Sequence, residues 1–187
     1  MYFVTSNDNK LKEYQDILGI QLERIKLDLP EIQSVKIEDV SREKALFAYK
    51  MLEHPVFVED TGLFFEDMGG LPGALIRSFL ENLSLDKICK LLSKNRKASA
   101  KVCLACSLDG KGVEFFIGEV LGVIVEKPRG IKGFGWDAIF IPEGDTRTFA
   151  EMEEKEKNRY MRGTAANKLK TYLVSLETSE KEGIALL

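Results

Sequence analysis

The chain has 187 residues, 44% of them hydrophobic, which is enough to bury the core of one ordinary domain and excludes a disordered protein. Its 27 Lys and Arg residues against 30 Asp and Glu residues give a net charge of -3, so the composition predicts no nucleic-acid or membrane partner. Three cysteines are too few for a disulfide framework, and we see neither a signal peptide nor a membrane-spanning run. We therefore expect one domain over residues 1–187, located in the cytoplasm.

The first half of the chain alternates apolar runs with segments of helical spacing. In chain order it predicts a strand over 2–5, a helix over 8–18, a strand over 22–27, a helix over 39–52 and a strand from 55 that closes at Glu59-Asp60. Asn7 suits the start of the first helix and Gly19 its end. This order is typical of a layered α/β domain.

The second half is predicted to add strands to the same sheet. Its elements are a loop over 64–73, one or two helices over 74–93, strands across 98–127, a strand over 138–142 and helices at about 148–157 and 163–176. Ser84 suits a helix cap, and Asp109-Gly110 suits a hairpin turn. The interleaved elements predict a mixed sheet flanked by helices.

The first candidate site is the segment TSNDNK, residues 5–10, between a strand and a helix. Free backbone N–H groups and the helix dipole favour a phosphate there, and Lys10 adds a full charge. Lysine in a first helical turn is otherwise mildly unfavourable. The alternative is an ordinary turn with a solvated lysine, and the segment lacks the spacing of a Walker or dinucleotide loop.

The second candidate is the acidic pair Glu59-Asp60 at the end of a predicted strand, with Glu31 in a nearby loop. Open α/β sheets bind ligands at such strand ends, and one or two carboxylates with phosphate oxygens suit Mg²⁺. Adjacent strand residues point to opposite faces, so at most one of the pair enters a given site directly. The alternative is that these acids are simply solvated.

The third candidate is Lys44, which lies on the apolar stripe of the helix over 39–52. That stripe is predicted to hold Val40, Phe47, Ala48 and Met51. A lysine inside an apolar face either extends to the edge of that face or meets an anion.

The remaining candidates follow the predicted strands. GFGWD, residues 133–137, sets Phe134 and Trp136 between glycines, so the aromatic rings could stack on a base and Asp137 could accept a ring N–H. Core packing is the alternative for such rings. KNRYMRG, residues 157–163, supplies several cations, for which a solvated basic turn is the alternative.

Taken in order, TSNDNK, LPEIQ, VEDTGL, GGLPG, GFGWDAIFIP and TFAEMEEKEKN resemble the motif set of the inosine triphosphate pyrophosphatase family. The resemblance runs from residue 3 to about 173. It implies an elongated mixed sheet with two lobes around a substrate cleft, and a homodimer. It also implies Mg²⁺-dependent hydrolysis of ITP, dITP and XTP to the monophosphate and pyrophosphate.

Site residues follow from the same resemblance. Substrate would be bound by Thr5, Ser6, Asn7, Lys10, Lys44, Thr61, Phe134, Gly135, Trp136, Asp137, Lys157 and Arg162. The metal would be held by Glu31 and Asp60, and Asp60 would also activate water. Lys10 would stabilise the leaving pyrophosphate, so Asp60 and Lys10 are the implied catalytic residues.

The chain departs from the family before its last helix. The family reads K-N-x-x-S-H-R-G, whereas this chain reads KNRYMRG over residues 157–163, one residue shorter and without histidine. Aligned on Arg-Gly, Arg162 takes the place of the family arginine; aligned from Asn158, it takes the place of the histidine. We prefer the first, in which Arg162 donates to a 6-keto oxygen and disfavours adenine.

Two rival functions remain open at this stage. The altered segment lies at the base pocket, so the chain could be a pyrophosphatase for dUTP, UTP or a modified pyrimidine nucleotide. It could also be a nucleotide-binding regulator without turnover, although the retained acids and lysines favour an enzyme.

Overall fold

A computed structural model of the chain describes residues 1–5, 8–157 and 159–184. The predicted helix start at Asn7, and the predicted substrate contacts of Ser6 and Asn7, therefore lie outside the described residues.

The centre of the fold is one seven-stranded sheet. Its strands are β1 (Tyr2–Val4), β2 (Glu23–Ile25), β3 (Val56–Phe65), β4 (Pro72–Gly73), β5 (Lys97–Ser107), β6 (Glu114–Ile124) and β7 (Phe140–Pro142). The order across the sheet is β2-β1-β3-β5-β6-β7, and β4 pairs with β3. β1 runs parallel to β2 and β3, and the other pairs are antiparallel, so the predicted mixed sheet is confirmed.

Helices flank this sheet, as the sequence predicted. They are α1 (Asp8–Leu18), α2 (Ile37–Leu52), α3 (Ile76–Asn82), α4 (Leu85–Lys90), α5 (Glu154–Lys157) and α6 (Met161–Ile184). Gly19 adopts a φ of +72° and ends α1, and the Ser84 hydroxyl accepts the Lys87 N–H at the start of α4. The predicted end of α1 at Gly19 and the predicted cap of α4 at Ser84 are therefore confirmed.

Alternation along the strands divides the core between the two faces of the sheet. Phe3 and Phe57 belong to the larger core with the apolar faces of α1 and α6, while Val4, Val56 and Val58 belong to a smaller core with Ala45 and Ala48 of α2. α2 thus covers one face, and α1 with α6 covers the other. This division decides where the two adjacent acids of β3 point.

The predicted end of β3 at Glu59-Asp60 is wrong, and the predicted loop over 64–73 is confirmed only for 66–71, between β3 and β4. β3 continues to Phe65 because β5 pairs with it along its whole length, from Val56 opposite Ser107 to Phe65 opposite Ala98. The parallel neighbour β1, by contrast, ends at Val4 opposite Val58. Among the described residues, β3 has no strand partner on the β1 side from Glu59 until β4 pairs with it at Leu63, which opens the sheet beside the two acids.

Smaller corrections have similar tertiary causes. The segment 148–157 is a 3₁₀ turn (Phe149–Glu151) and the short α5, separated because Met152 is extended. The predicted strand over 138–142 begins only at Phe140, since the two residues before it belong to the 3₁₀ turn Asp137–Ile139. The strand over 22–27 shrinks to β2, which pairs with the three-residue β1.

The stripe predicted for α2 is also shifted. Lys44 is buried, at 8% exposure, as expected of a stripe position, but Met51 is 55% exposed.

Among the described residues no helix has the length and apolar character needed to cross a membrane. The two-lobed outline stays a prediction.

Candidate active site

A cleft of about 610 Å³ opens beyond the end of β1. It is lined by all the predicted site residues that the structure describes: Thr5, Lys10, Glu31, Lys44, Asp60, Thr61, Phe134, Gly135, Trp136, Asp137, Lys157 and Arg162. These residues come from six separate segments of the chain, so the fold gathers them into one place.

At the β1 end of the cleft, the first turns of α1 and α6 meet at Glu59. This side chain is 1% exposed, and its Oε1 lies 3.0 Å from Lys10 Nζ and 3.4 Å from an Arg162 terminal nitrogen. The Tyr14 hydroxyl donates to Oε2 at 2.6 Å. Burial opposes ionisation, yet the two cations hold the pKa of Glu59 at about 2. Each helix therefore keeps a cation at its positive end because a buried anion compensates for it.

Asp60 points to the opposite face, toward α2. Lys44 Nζ lies 3.3 Å from Asp60 Oδ2 and 3.3 Å from Glu31 Oε1, and Arg77 of α3 is 2.8 Å from the same Glu31 oxygen. Burial raises the pKa of Asp60, and Lys44 opposes that rise. The Thr61 N–H donates to Asp60 Oδ1 at 3.1 Å and fixes the carboxyl group.

This arrangement fits a divalent cation. Two carboxylates from different segments already share one ammonium group, at 3.3 Å from each, so both face the same position in the cleft. Mg²⁺ prefers one or two carboxylates completed by water and phosphate oxygens, and Glu31 and Asp60 provide that donor set.

Asp137 and Lys157 form a buried ion pair at the other end of the cleft, 3.0 Å apart. Asp137 Oδ2 also accepts the Phe134 N–H at 3.3 Å. Gly133, with a φ of +80°, is needed here because a Cβ would lie 2.0 Å from that carboxyl oxygen. Burial raises the pKa of Asp137, an effect that Lys157 opposes.

The two aromatic rings of GFGWD have different environments. Phe134 is 60% exposed and can offer a ring face to a ligand. Trp136 is 6% exposed, and its ring lies 5.8 Å from that of Phe140 and 6.0 Å from that of Phe149. Phe134 is therefore the ring of the pair that a ligand can reach, and Trp136 anchors the loop beneath it.

Arg162 is held by acids on the Glu59 side of the cleft. One terminal nitrogen lies 3.0 Å from Glu13 Oε2 and the other 3.4 Å from Glu59 Oε1. α6 can place it there because Gly118 of β6 lets the helix lie directly on the strand: a Cβ would be 1.8 Å from the Met161 carbonyl oxygen. These contacts fix the Arg162 guanidinium group in the wall of the cleft, and its predicted contact with a base stays a prediction.

Sequence reasoning missed four contributors to the site: Glu13, Tyr14, Arg77 and Glu154. By its spacing Tyr14 fits the apolar face of α1, and nothing in the sequence indicates that its hydroxyl is buried and bonded to Glu59. Arg77 could have been found from helical spacing, because it lies three residues before Leu80 and both line the cleft.

The chain is similar to known proteins along nearly its whole length. The sequence pattern described as the Ham1 family matches residues 1–172. A dITP/XTP pyrophosphatase of Hyperthermus butylicus is 44% identical over 90% of this chain and 92% of its own length. An inosine triphosphate pyrophosphatase of Yarrowia lipolytica is 44% identical over 96% and 98%. The structure of a HAM1 protein from Coxiella burnetii covers 94% of this chain and 99% of that one, with 27% identity and a TM-score of 0.82.

Proposed function

The chain belongs to the Ham1 family, and from that premise we propose that it hydrolyses non-standard purine nucleoside triphosphates. ITP, dITP and XTP are the substrates, and the nucleoside monophosphate and pyrophosphate are the products. The reaction removes these nucleotides from the pool before they can be used.

One observation carries this proposal. A single cleft combines the lysine at the start of α1, a carboxylate pair that shares one lysine, and an exposed aromatic ring beside a buried Asp-Lys pair. The first suits a polyphosphate, the second a divalent cation and the third a nucleobase. A nucleoside triphosphate is the substrate class that needs all three.

We propose that the triphosphate lies across the start of α1, against Thr5, Ser6, Asn7 and Lys10. Lys10 and Lys44 then meet the negative charge that develops on the leaving pyrophosphate. Asp60 orients the attacking water and accepts its proton, a task favoured by the raised pKa of this carboxyl group. Thr61 keeps that carboxyl group in place.

Glu31 and Asp60 would hold Mg²⁺ in this proposal. When bound, the ion supplies charge stabilisation to the phosphate oxygens. Lys44 bridges the same two carboxylates in the described structure, so it is placed to turn from them toward a phosphate once a divalent cation satisfies them.

At the base end, Phe134 stacks on the purine, and Gly135, with a φ of +61°, turns the loop over it. Lys157 donates to the 6-keto oxygen, and Asp137 accepts a ring N–H. Adenine presents the opposite pattern at its 6-position, so ATP is a poor substrate.

We also propose that the enzyme is a homodimer in the cytoplasm. Exposed apolar side chains of β6, Leu121 at 57% and Val123 at 41%, support a second copy as a partner. The three buried thiols, Cys89, Cys103 and Cys106, suit a reducing compartment.

Product analysis tests the proposal directly. The purified chain is incubated with Mg²⁺ and a panel of ITP, dITP, XTP, ATP, GTP, dUTP and UTP. We expect ITP to give IMP and pyrophosphate. Release of IDP and phosphate would contradict the cleavage position, and faster hydrolysis of dUTP or UTP would favour a pyrimidine nucleotide pyrophosphatase instead.

A further inference from the structure

The hydroxyl group of Tyr14 lies behind the wall of the cleft, in the middle of α1. Tyr14 is 0% exposed, and its ring packs edge-on against Phe3 at 5.1 Å and against Phe57 at 5.8 Å. The hydroxyl donates to Glu59 Oε2 at 2.6 Å. Apolar contacts therefore fix the ring, and one short hydrogen bond connects it to the candidate active site.

The two carboxylate oxygens of Glu59 have different partners. Oε2 accepts the hydrogen bond from Tyr14, whereas Oε1 lies 3.0 Å from Lys10 Nζ and accepts the Thr61 hydroxyl at 3.3 Å. Lys10 and Thr61 both line the cleft. The orientation of this one carboxylate therefore influences where two groups of the cleft wall lie.

We propose that Tyr14 is a positioning residue for the triphosphate: by holding Oε2 of Glu59, it keeps Oε1 turned toward the cleft and so fixes Lys10 where the phosphates bind. The proposal rests on the proposed function above, which assigns Lys10 to the triphosphate. Tyr14 itself has no exposed surface and acts only through Glu59.

The chemistry of the bond suits this role. A hydrogen bond to a carboxylate is stronger than one between neutral groups, and 2.6 Å is the short distance typical of it. Burial raises the pKa of Tyr14 well above its usual value, so the hydroxyl keeps its proton and stays a donor. Phe3 and Phe57, which surround the ring, offer no replacement donor. Without the hydroxyl, the carboxylate would rotate to satisfy Oε2 and would move Oε1 away from Lys10.

A conservative variant isolates the hydroxyl. Tyr14→Phe removes this one group and leaves the ring in its aromatic cluster. Tyr172→Phe is the matched control, since Tyr172 of α6 also packs on an aromatic ring, that of Phe116 at 5.2 Å. The acid that acts most strongly on Tyr172 is Glu114, so the two variants remove the same group and only the first removes it beside Glu59.

Calorimetry measures the binding of two probes, inorganic pyrophosphate with Mg²⁺ for the phosphate end of the cleft and inosine for the base end. We expect Tyr14→Phe to weaken pyrophosphate binding about fivefold and to leave inosine binding unchanged, while Tyr172→Phe changes neither. With ITP as substrate, KM should rise about fivefold in Tyr14→Phe, and kcat should change by less than about twofold.

A second comparison tests whether Tyr14 acts through Lys10. In a Lys10→Ala background, Tyr14→Phe should weaken pyrophosphate binding no further, because the group that it positions has been removed. An equal loss with and without Lys10 would overturn this route.

Unchanged pyrophosphate binding in Tyr14→Phe, or an equal loss for both probes, would overturn the positioning role. Absence of pyrophosphate release from ITP by the unaltered protein would instead overturn the proposed function. The binding measurements would then test Tyr14 alone, because they need no turnover. Tyr14→Leu also removes the hydroxyl and serves as the second variant if Tyr14→Phe does not fold.

Discussion

The two ends of the cleft are built in different ways. At the Asp60 end, one lysine lies between two carboxylates at 3.3 Å from each, and Glu31 is 48% exposed. At the base end, Lys157 and Asp137 lie 3.0 Å apart, with side chains only 9% and 14% exposed. The lysine contacts are therefore longer at the first end than at the second, although each lysine also pairs with one half-exposed glutamate, Glu31 or Glu154.

This difference indicates which end changes on binding. The longer contacts of Lys44, one of which is to the half-exposed Glu31, are more easily exchanged for a metal ion and phosphates. Buried, short pairs are costly to break, so the base end keeps its shape and selects the ligand. We expect substitutions at the Asp60 end to affect turnover. Two groups of buried ion pairs form what we call the buried network: Asp137 with Lys157, and Glu59 and Glu13 with Lys10 and Arg162. Substitutions in this network should affect stability and selectivity.

The largest effect on turnover is expected from Asp60→Asn. The amide neither accepts the proton of water nor holds a cation as a carboxylate does, so pyrophosphate release from ITP should fall by at least about 10³-fold. Melting temperature should change little, because Lys44 keeps Glu31. Asp16→Asn, an exposed site on α1, is the matched control and should retain full activity. Full activity of Asp60→Asn would remove Asp60 from the mechanism.

Glu59→Gln should affect stability more than turnover. It leaves Lys10 and Arg162 buried without their shared anion, so we expect the free energy of unfolding to fall by about 3 kcal/mol. Lys10 also loses its anchor, and KM for ITP should change more than kcat.

Chemical denaturation of the Glu59→Gln variant measures the loss of stability. Glu119→Gln is the control, because Glu119 is also a paired strand glutamate but is 42% exposed. It should change the free energy of unfolding by less than about 0.5 kcal/mol. Equal losses in the two variants would mean that Glu59 is not the centre of the buried network.

The sequence predicted the difference between the two ends of the cleft only in part. Local signals placed the helices, the Asp109-Gly110 hairpin and the motif residues of the cleft, because caps, turns and periodicity depend on neighbours in the chain. Alternation within a strand also predicted correctly that Glu59 and Asp60 face opposite ways. Which helix each acid would meet could not be predicted, since that depends on the packing of α1, α2 and α6.

The errors have one physical source, which is pairing between distant segments. β3 extends past its acids because β5 lies beside it, and no residue of β3 reports that partner. Trp136 and Phe134 look equivalent in GFGWD, yet Phe140 and Phe149 bury the first and leave the second exposed. Glu154 looks like any helix-surface acid until α6 brings Arg162 beside it.

Glu13→Gln tests the buried network through pH. Burial raises the pKa of Glu13 from 4.5 to about 7, so the native state binds the proton more tightly than the unfolded state. This contribution to stability is fully present below pH 4.5 and is lost as the pH rises through about 7. Glutamine resembles the protonated acid.

The variant should therefore lose less stability than the unaltered protein between these pH values. Denaturant unfolding across that range is the measurement, and parallel curves for the two proteins would show that Glu13 carries no excess proton in the native state.

The smallest effect on stability is expected from Arg77→Ala, at the exchangeable end. Arg77 is 68% exposed and bonds to Glu31 and Glu81, so its ion pairs are screened by water, and their loss should change the free energy of unfolding by less than about 0.5 kcal/mol. It does, however, occupy an oxygen of Glu31 that the proposed metal needs. Removing it should lower the Mg²⁺ concentration for half-maximal pyrophosphate release by about threefold. A higher Mg²⁺ requirement would instead mean that Arg77 positions Glu31 for the metal, and that this end of the cleft is less exchangeable than its long contacts indicate.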